Sequence, residues 1–192
     1  MNSHSEDNTA WRRALRQDMT RRRAALAGAE HEALSARIVA HALAALPRPK
    51  VAAFCWPIKH EPDLRALLAS WTSAQVRAVL PVVVAENAPL RFREWTPDSR
   101  LAPDRYGIPT PTAGEWLTPG LILLPLNGFD DAGYRLGYGG GYFDRTLAAL
   151  SPRPLAVGVG FEINRVASIR PEAHDQRLDW IITENGAFRP AA

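Results

Sequence analysis

Residues 121–147, LILLPLNGFDDAGYRLGYGGGYFDRTL, set the terms for the whole chain. Leu121 to Leu126 is a short apolar run bounded by turn residues, the pattern of a buried strand rather than of a helix. Turn residues follow at Asn127-Gly128, Asp130-Asp131 and Gly133. Then comes Arg135-Leu136-Gly137-Tyr138-Gly139-Gly140-Gly141-Tyr142-Phe143-Asp144-Arg145, and Leu147 and Leu150 beyond it take helical spacing. A strand, a glycine-rich loop and a helix start, in that order, point backbone N–H groups at a ligand. The helix N-terminus adds partial positive charge. Glycine lets the backbone approach a phosphate with no Cβ in the way. Arg135 and Arg145 flank the loop with guanidinium groups suited to phosphate oxygens. Asp144 places a carboxylate beside them, which an anion site tolerates when a cation is present, Mg²⁺ being the natural one.

A glycine-rich surface turn is the plainer alternative. Against it, Tyr138, Tyr142 and Phe143 interleave the glycines where a linker carries Ser or Asn. The spacing is neither a Walker A loop, since no Gly-Lys-Ser/Thr follows, nor the dinucleotide fingerprint G-x-G-x-x-G with its later acidic residue. The string GFDDAGYRLGYGGGYFDR instead resembles the signature of the 5-formyltetrahydrofolate cyclo-ligase family, also called 5,10-methenyltetrahydrofolate synthetase. What that resemblance implies is an enzyme that uses Mg·ATP to close 5-formyltetrahydrofolate into 5,10-methenyltetrahydrofolate.

Composition is compatible with such an enzyme. A chain of 192 residues with 46% hydrophobic and 22% charged residues is long and apolar enough for one globular core. No apolar run approaches a membrane span, and MNSHSEDNTA lacks the basic start and apolar core of a secretory signal. A lone cysteine, Cys55, excludes an intramolecular disulfide and a cysteine metal cluster, so a cytoplasmic location is expected. The net charge of +3 is carried almost wholly by arginine, lysine occurring only at Lys50 and Lys59. A basic balance suits nucleic acid, but equally ATP and a polyglutamylated folate. No zinc-finger or RNA-recognition signature favours nucleic acid.

Taken in order, residues 1–8 are polar and expected to be disordered, a domain is expected over 9–186, and a short frayed tail over 187–192. Trp11, Leu15, Met19 and Leu26 predict a helix, with Arg12, Arg13, Arg16, Arg21, Arg22 and Arg23 on its other side. Arg12 and Arg16 are four apart and so neighbours on the helix surface, where they repel unless something anionic lies between. A solvated basic face is the alternative. By resemblance, the family's K-x-x-x-R on this helix contacts ATP phosphates. Arg16 matches its arginine, and Arg12 stands where the lysine is expected, keeping the charge but not the shape.

A second helix carries Leu34, Ile38, Ala42 and Leu46 on one face and ends at Pro47. Val51 to Trp56 reads as the first buried strand, and Leu64 to Trp71 as a helix that Asp63 can cap. Glu61 falls at a strand's C-terminal end, where open α/β sheets place ligands. The resemblance makes it the residue that holds the pterin ring, and a carboxylate is a fit acceptor for the N–H groups of that edge. Trp56 is a candidate for the same pocket wall or for plain core packing. Strands are expected over 76–84 and, at a wet edge, over 90–95, with plain loop over 96–120. Tyr106-Gly107-Ile108-Pro109-Thr110-Pro111 resembles the family's YGIPEP stretch, which is structural or lines the substrate entrance.

VGVGF, ending at Phe161, predicts a strand with close backbone approach at its glycines. Asn164 stands where the family usually has glutamine. Pro171 to Asp175 matches its P-x-x-x-D turn, and the resemblance joins Asp175 to Asp144 at magnesium, although a turn aspartate is also an ordinary helix cap. His174 is a weaker catalytic candidate. The order of elements predicts a single α/β domain with a largely parallel central sheet flanked by helices on both faces.

The expected function is therefore ATP-dependent cyclisation of 5-formyltetrahydrofolate, with ATP as co-substrate, Mg²⁺ as cofactor and a monomer as the working unit. ATP would be held by Arg12, Arg16 and residues 135–143. The folate would be held by Trp56, Glu61 and the loop residues Tyr138 to Tyr142. The alternatives are another phosphate-handling α/β enzyme, of sugar-phosphate isomerase or acyl-transferase type, and a basic nucleic-acid-binding module.

Overall fold

The computed structural model describes residues 3–190. Its first helix, α1 (Ser3–Ala24), starts well before Thr9, so the stretch expected to be disordered is helical from Ser3. Met1 and Asn2 lie outside the described residues. The polar opening turn has no apolar period to announce it, but it is tied down from afar, since Asn8 Nδ2 donates to Glu172 Oε1 at 2.9 Å. Helix α2 (Gly28–Ala45) buries Ile38, Val39 and Ala42. It stops because Leu46 precedes Pro47, and the residue before a proline is pushed to the extended conformation found there.

Strand β1 (Val51–Ala53), helix α3 (Arg65–Ser73) and strand β2 (Arg77–Val82) then form one crossover unit, and β3 (Arg91–Trp95) returns antiparallel beside β2. The following region, expected to be plain loop, holds a small hairpin of β4 (Leu101–Pro103) and β5 (Pro109–Pro111). Its prolines hid it, because proline cannot donate to a ladder and reads as a breaker anywhere but an edge. Next come β6 (Leu121–Pro125), a tight hairpin of β7 (Gly128–Phe129) with β8 (Arg135–Leu136), and helix α4 (Tyr142–Ala149). Strands β9 (Leu155–Val159), β10 (Trp180–Thr183) and β11 (Gly186–Phe188) complete the chain, with a 3₁₀ turn at Glu162–Asn164. The last strand replaces the expected frayed tail, pairing antiparallel with β10. Ala191 and Ala192 lie outside the described residues.

Seven of these strands form one sheet, in the order β11-β10-β9-β6-β1-β2-β3. The five inner strands are parallel and both edge strands antiparallel. Alternate side chains feed two cores. On one face Ala52, Phe54, Leu121 and Leu123 pack with Ile38 of α2 and with Leu67 and Trp71 of α3. On the other, Ala53, Ile122, Leu124 and Ile181 pack with Leu147 of α4. Each fully buried Leu, Ile or Phe among them contributes about 1.5–3 kcal/mol. Packing is tight at Gly158, where a Cβ would sit 2.6 Å from a Leu178 methyl and 2.7 Å from one of Leu126, so those side chains would have to shift to admit one. No helix among the described residues is long and apolar enough to cross a membrane.

Strand order also locates the site. From β1 the chain moves outward to β2, then returns to lay β6 against the other side of β1 and continues to β9 and β10. Because strand order reverses between β1 and β6, the loops leaving their C-terminal ends diverge and open a crevice there. Helix α1 lies across that end of the sheet, against β7 and the 3₁₀ turn.

Candidate active site

A cleft of about 620 Å³ occupies this crevice. The loop after β1 supplies Trp56, Lys59 and Glu61. The loop after β8 supplies Gly137 to Gly141, and α1 supplies Arg12 and Arg16. Asp144 and Asp175 line it too, as do Arg135, Tyr142 and Phe143. Sequence-predicted residues from widely separated segments therefore meet at one place. Leu136 does not join them: it is fully buried, and its carbonyl accepts the Asn127 N–H at 3.1 Å beside the β7–β8 ladder.

Glu61 is almost wholly buried. Its Oε1 accepts the Tyr138 hydroxyl at 2.6 Å and its Oε2 accepts the Ile58 N–H at 3.0 Å. Burial raises its pKa above the usual carboxylate range. Those two hydrogen bonds and the charges of Arg23 and Lys59 work against the rise. The Tyr138 phenol is pushed up as well, by burial and then by the neighbouring carboxylate. Lys59 holds its ammonium 4.8 Å from the centre of the Tyr138 ring. Trp56 satisfies both of its sequence readings, lining the cleft while packing on the core and standing 6.3 Å from Trp95, ring centre to ring centre.

At the other end of the cleft, charges are paired. Arg12 grips Asp175 in bidentate fashion, Nη1 to Oδ2 at 3.0 Å and Nη2 to Oδ1 at 3.2 Å. Asp175 Oδ2 also accepts the Glu172 N–H at 2.7 Å. Arg135 Nη2 donates to Asp144 Oδ1 at 3.0 Å, and that same oxygen accepts the Gln176 N–H at 2.9 Å. Both aspartates thus belong to one cluster, bridged by the segment 175–176, rather than facing each other alone. Burial lowers the pKa of Arg135, the adjacent Asp144 opposing the shift.

Arg16 donates through Nε to the Gly137 carbonyl at 2.8 Å, fastening α1 to the glycine loop. Burial, then the like charge of Arg12, lowers its pKa, which is the repulsion expected of cations one helical turn apart. Gly139 has φ of +100°, and a Cβ there would meet the Arg16 guanidinium carbon at an ordinary contact distance of 3.5 Å. Gly141, at φ +62°, begins α4, whose first turn has no side-chain cap. Arg145 bonds the Gly140 carbonyl. Arg12 Nε and Arg145 Nε are buried without a protein partner, the kind of donor that a phosphate oxygen satisfies.

The arginines of α1 are not one solvated face. Arg12 and Arg16 enter the cleft, Arg21 and Arg22 pair with Asp18, and Arg23 is fully buried. Sequence reasoning missed Arg23 and Lys59. The spacing of Arg23, about two turns beyond Arg16, was the available signal. Tyr106, at the tip of the β4–β5 hairpin, does line the entrance, its hydroxyl 2.8 Å from that of Tyr142. His174 also borders the cleft but is largely exposed.

The chain is 28% identical over 175 residues to a 5-formyltetrahydrofolate cyclo-ligase of Mycoplasma pneumoniae, covering 89% of this chain and 97% of the relative. It is 30% identical over 138 residues to one of Mycolicibacterium smegmatis, covering 66% and 70%. A solved 5,10-methenyltetrahydrofolate synthetase of Aquifex aeolicus superposes with a TM-score of 0.79 at 30% identity, over 94% of this chain and 93% of that one. The synthetase of Mycoplasma pneumoniae gives 0.75 at 26%, over 90% and 98%. Residues 8–184 match the sequence profile of one family, and the chain therefore belongs to the 5-formyltetrahydrofolate cyclo-ligase family.

Proposed function

We infer that this chain catalyses the reaction of its family, converting 5-formyltetrahydrofolate and ATP to 5,10-methenyltetrahydrofolate, ADP and phosphate. The observation that carries the reading is the cleft itself. It joins a buried carboxylate, Glu61, to a glycine loop flanked by arginines, across the point where strand order reverses.

The chemistry asks for two things. The formyl oxygen is a poor leaving group, so it first attacks the γ-phosphorus of ATP, and ADP departs. N10 then attacks the activated carbon, the C–O bond breaks, phosphate leaves and the N10 proton is released. Phosphoryl transfer of this kind needs positioning and charge neutralisation more than a covalent nucleophile. Arg12, Arg16, Arg135 and the N–H groups of Gly139 to Phe143 supply those at the phosphate end. At the other end Glu61 accepts the N–H groups of the pterin, with Trp56 as wall. Tyr138 to Tyr142 stand between the two and hold formyl group and γ-phosphate within reach of each other.

Mg²⁺ fits the residues present. It takes one or two carboxylates, completing its shell with phosphate oxygens and water; the cleft offers Asp144 and Asp175 beside the glycine loop, with Glu172, Asp104 and Glu61 also in its lining and no cluster of three among the described residues. Asp144 directs both its bonds through Oδ1, which leaves Oδ2 for an ion, whereas Asp175 has both oxygens on Arg12. When bound, the ion neutralises phosphate charge.

The test is calorimetric. Glu61→Gln replaces an acceptor by a donor and is expected to weaken 5-formyltetrahydrofolate binding at least about ten-fold, leaving ATP affinity unchanged. Unchanged folate affinity removes Glu61 from the site.

A further inference from the structure

Among the arginines of α1, Arg23 alone is fully buried, and among the described residues it forms no direct ion pair. A guanidinium taken out of water is costly unless its bonds and charge are answered. Nη1 donates to Asn127 Oδ1 at 2.7 Å and Nη2 to the Tyr138 hydroxyl at 3.2 Å, while Nε and Nη2 lie 3.4 Å from the Lys59 carbonyl. Tyr138, accepting from Arg23, donates to Glu61. The nearest anion in this bonded network is therefore Glu61, one hydroxyl away. Asn127 is held in turn, its carbonyl accepting Asn164 Nδ2 at 3.0 Å and its Oδ1 accepting the Thr20 hydroxyl at 3.3 Å. Arg23 is thus clamped by the loops after β1, β6 and β8, with Asn164 beyond β9 bracing Asn127.

We propose that Arg23 is a positioning residue of the folate site: acting through the Tyr138 hydroxyl, it orients the Glu61 carboxylate and supplies its counter-charge. The proposal rests on Glu61 being the group that holds the pterin. It answers a difficulty in that reading, since a carboxylate buried this deeply tends to take up a proton, and a protonated Glu61 loses acceptor capacity. Other charged or titratable groups face Glu61 less directly. Lys59, from its own loop, sits over the Tyr138 ring. His31 of α2 reaches the Glu61 backbone carbonyl, at 3.0 Å, and not its carboxylate. His60 meets His31 edge-on, and the half-buried Cys55 has its thiol pKa raised by desolvation and by Glu61 itself. Among the described residues only Tyr138 and the Ile58 N–H hydrogen-bond the carboxylate oxygens, and Arg23 is the cation hydrogen-bonded to Tyr138.

The experiment measures the affinities of 5-formyltetrahydrofolate and ATP by calorimetry, from about pH 6 to about pH 9. It uses wild type, Arg23→Gln, Arg23→Lys, Tyr138→Phe, Glu61→Gln and the double variant Arg23→Gln/Glu61→Gln. Arg23→Gln is expected to weaken folate binding about ten-fold near pH 7 and ATP binding less than about two-fold. The folate deficit should shrink as pH rises, because loss of the cation moves Glu61 ionisation upward. Tyr138→Phe keeps Arg23 in place but cuts its link to Glu61, and is expected to reproduce that pH shift, so the proposal stays testable if Arg23→Gln does not fold. Arg23→Lys should restore part of the affinity. In the Glu61→Gln background, Arg23→Gln should add almost nothing. Additive losses, or a folate deficit constant across pH, overturn the role of Arg23 while leaving Glu61 in the site. Unchanged folate affinity in Glu61→Gln overturns the pterin reading itself, and this proposal with it.

Discussion

Arg12 and Asp175, 163 positions apart, face each other in a bidentate ion pair with both side chains almost buried, 8% and 5% exposed. The pair fastens the first helix to the loop before β10 and closes one wall of the cleft. Each partner has a second task in the proposed reaction, Arg12 toward phosphate and Asp175 toward the ion. Within the chain the two charges answer each other. Removing Asp175 would leave the buried Arg12 guanidinium with only its longer contact to Glu172, at 3.6 Å, and breaking a buried pair costs up to about 3–5 kcal/mol. Asp175→Ala is accordingly expected to lower the midpoint of urea unfolding sharply. An unchanged midpoint means that the pair contributes nothing to the fold.

Arg16 is expected to act on nucleotide. Arg16→Ala should raise the apparent ATP constant by about ten-fold or more, corresponding to one charge-assisted contact of about 1.5–3 kcal/mol. Arg21, exposed and paired with Asp18, is the control, and its alanine variant should behave as wild type. Equal small effects at both positions would return α1 to the status of a solvated basic surface.

The glycine loop makes a backbone prediction. Gly139 occupies φ +100°, a region that L side chains rarely adopt, and its missing Cβ faces Arg16. Gly139→Ala is expected to cost about 1–3 kcal/mol of local strain. Turnover should fall with little change in the unfolding midpoint, if the loop relaxes away from its binding geometry. Full activity in this variant would mean that the loop conformation is not needed.

The pH dependence of stability follows from Glu61. Burial raises its folded pKa above the unfolded value, so between the two values the folded protein binds more protons than the unfolded chain. Its contribution to stability is then greatest below the unfolded pKa and declines as pH rises through the folded one. Wild type should therefore lose stability relative to Glu61→Gln as pH climbs out of the usual carboxylate range, read from paired denaturation curves. A difference independent of pH contradicts the shift.

Much of this protein was legible in its sequence because the informative signals were local. The apolar run at 121–126 and the loop at 137–141 named the centre of the fold directly, and Gly158 announced its close packing by being glycine. The reversal of strand order that makes the crevice was not legible, since it depends on which side of β1 receives β6. Hidden too were the partners of the charged groups. Nothing near Arg12 predicts Asp175, and apart from its helical spacing from Arg16 nothing near Arg23 tells it from its exposed neighbours Arg21 and Arg22. Strand β11 escaped because three residues, Gly186 to Phe188, are too few to show alternation.

The central claim is tested most directly by mixing the purified protein with 5-formyltetrahydrofolate and Mg·ATP and following the absorbance of methenyltetrahydrofolate. The account predicts growth of that absorbance with release of one phosphate per product. It should require both nucleotide and folate, and fall strongly in Glu61→Gln. Phosphate release without folate, or no methenyl product from folded protein supplied with both substrates, would contradict it.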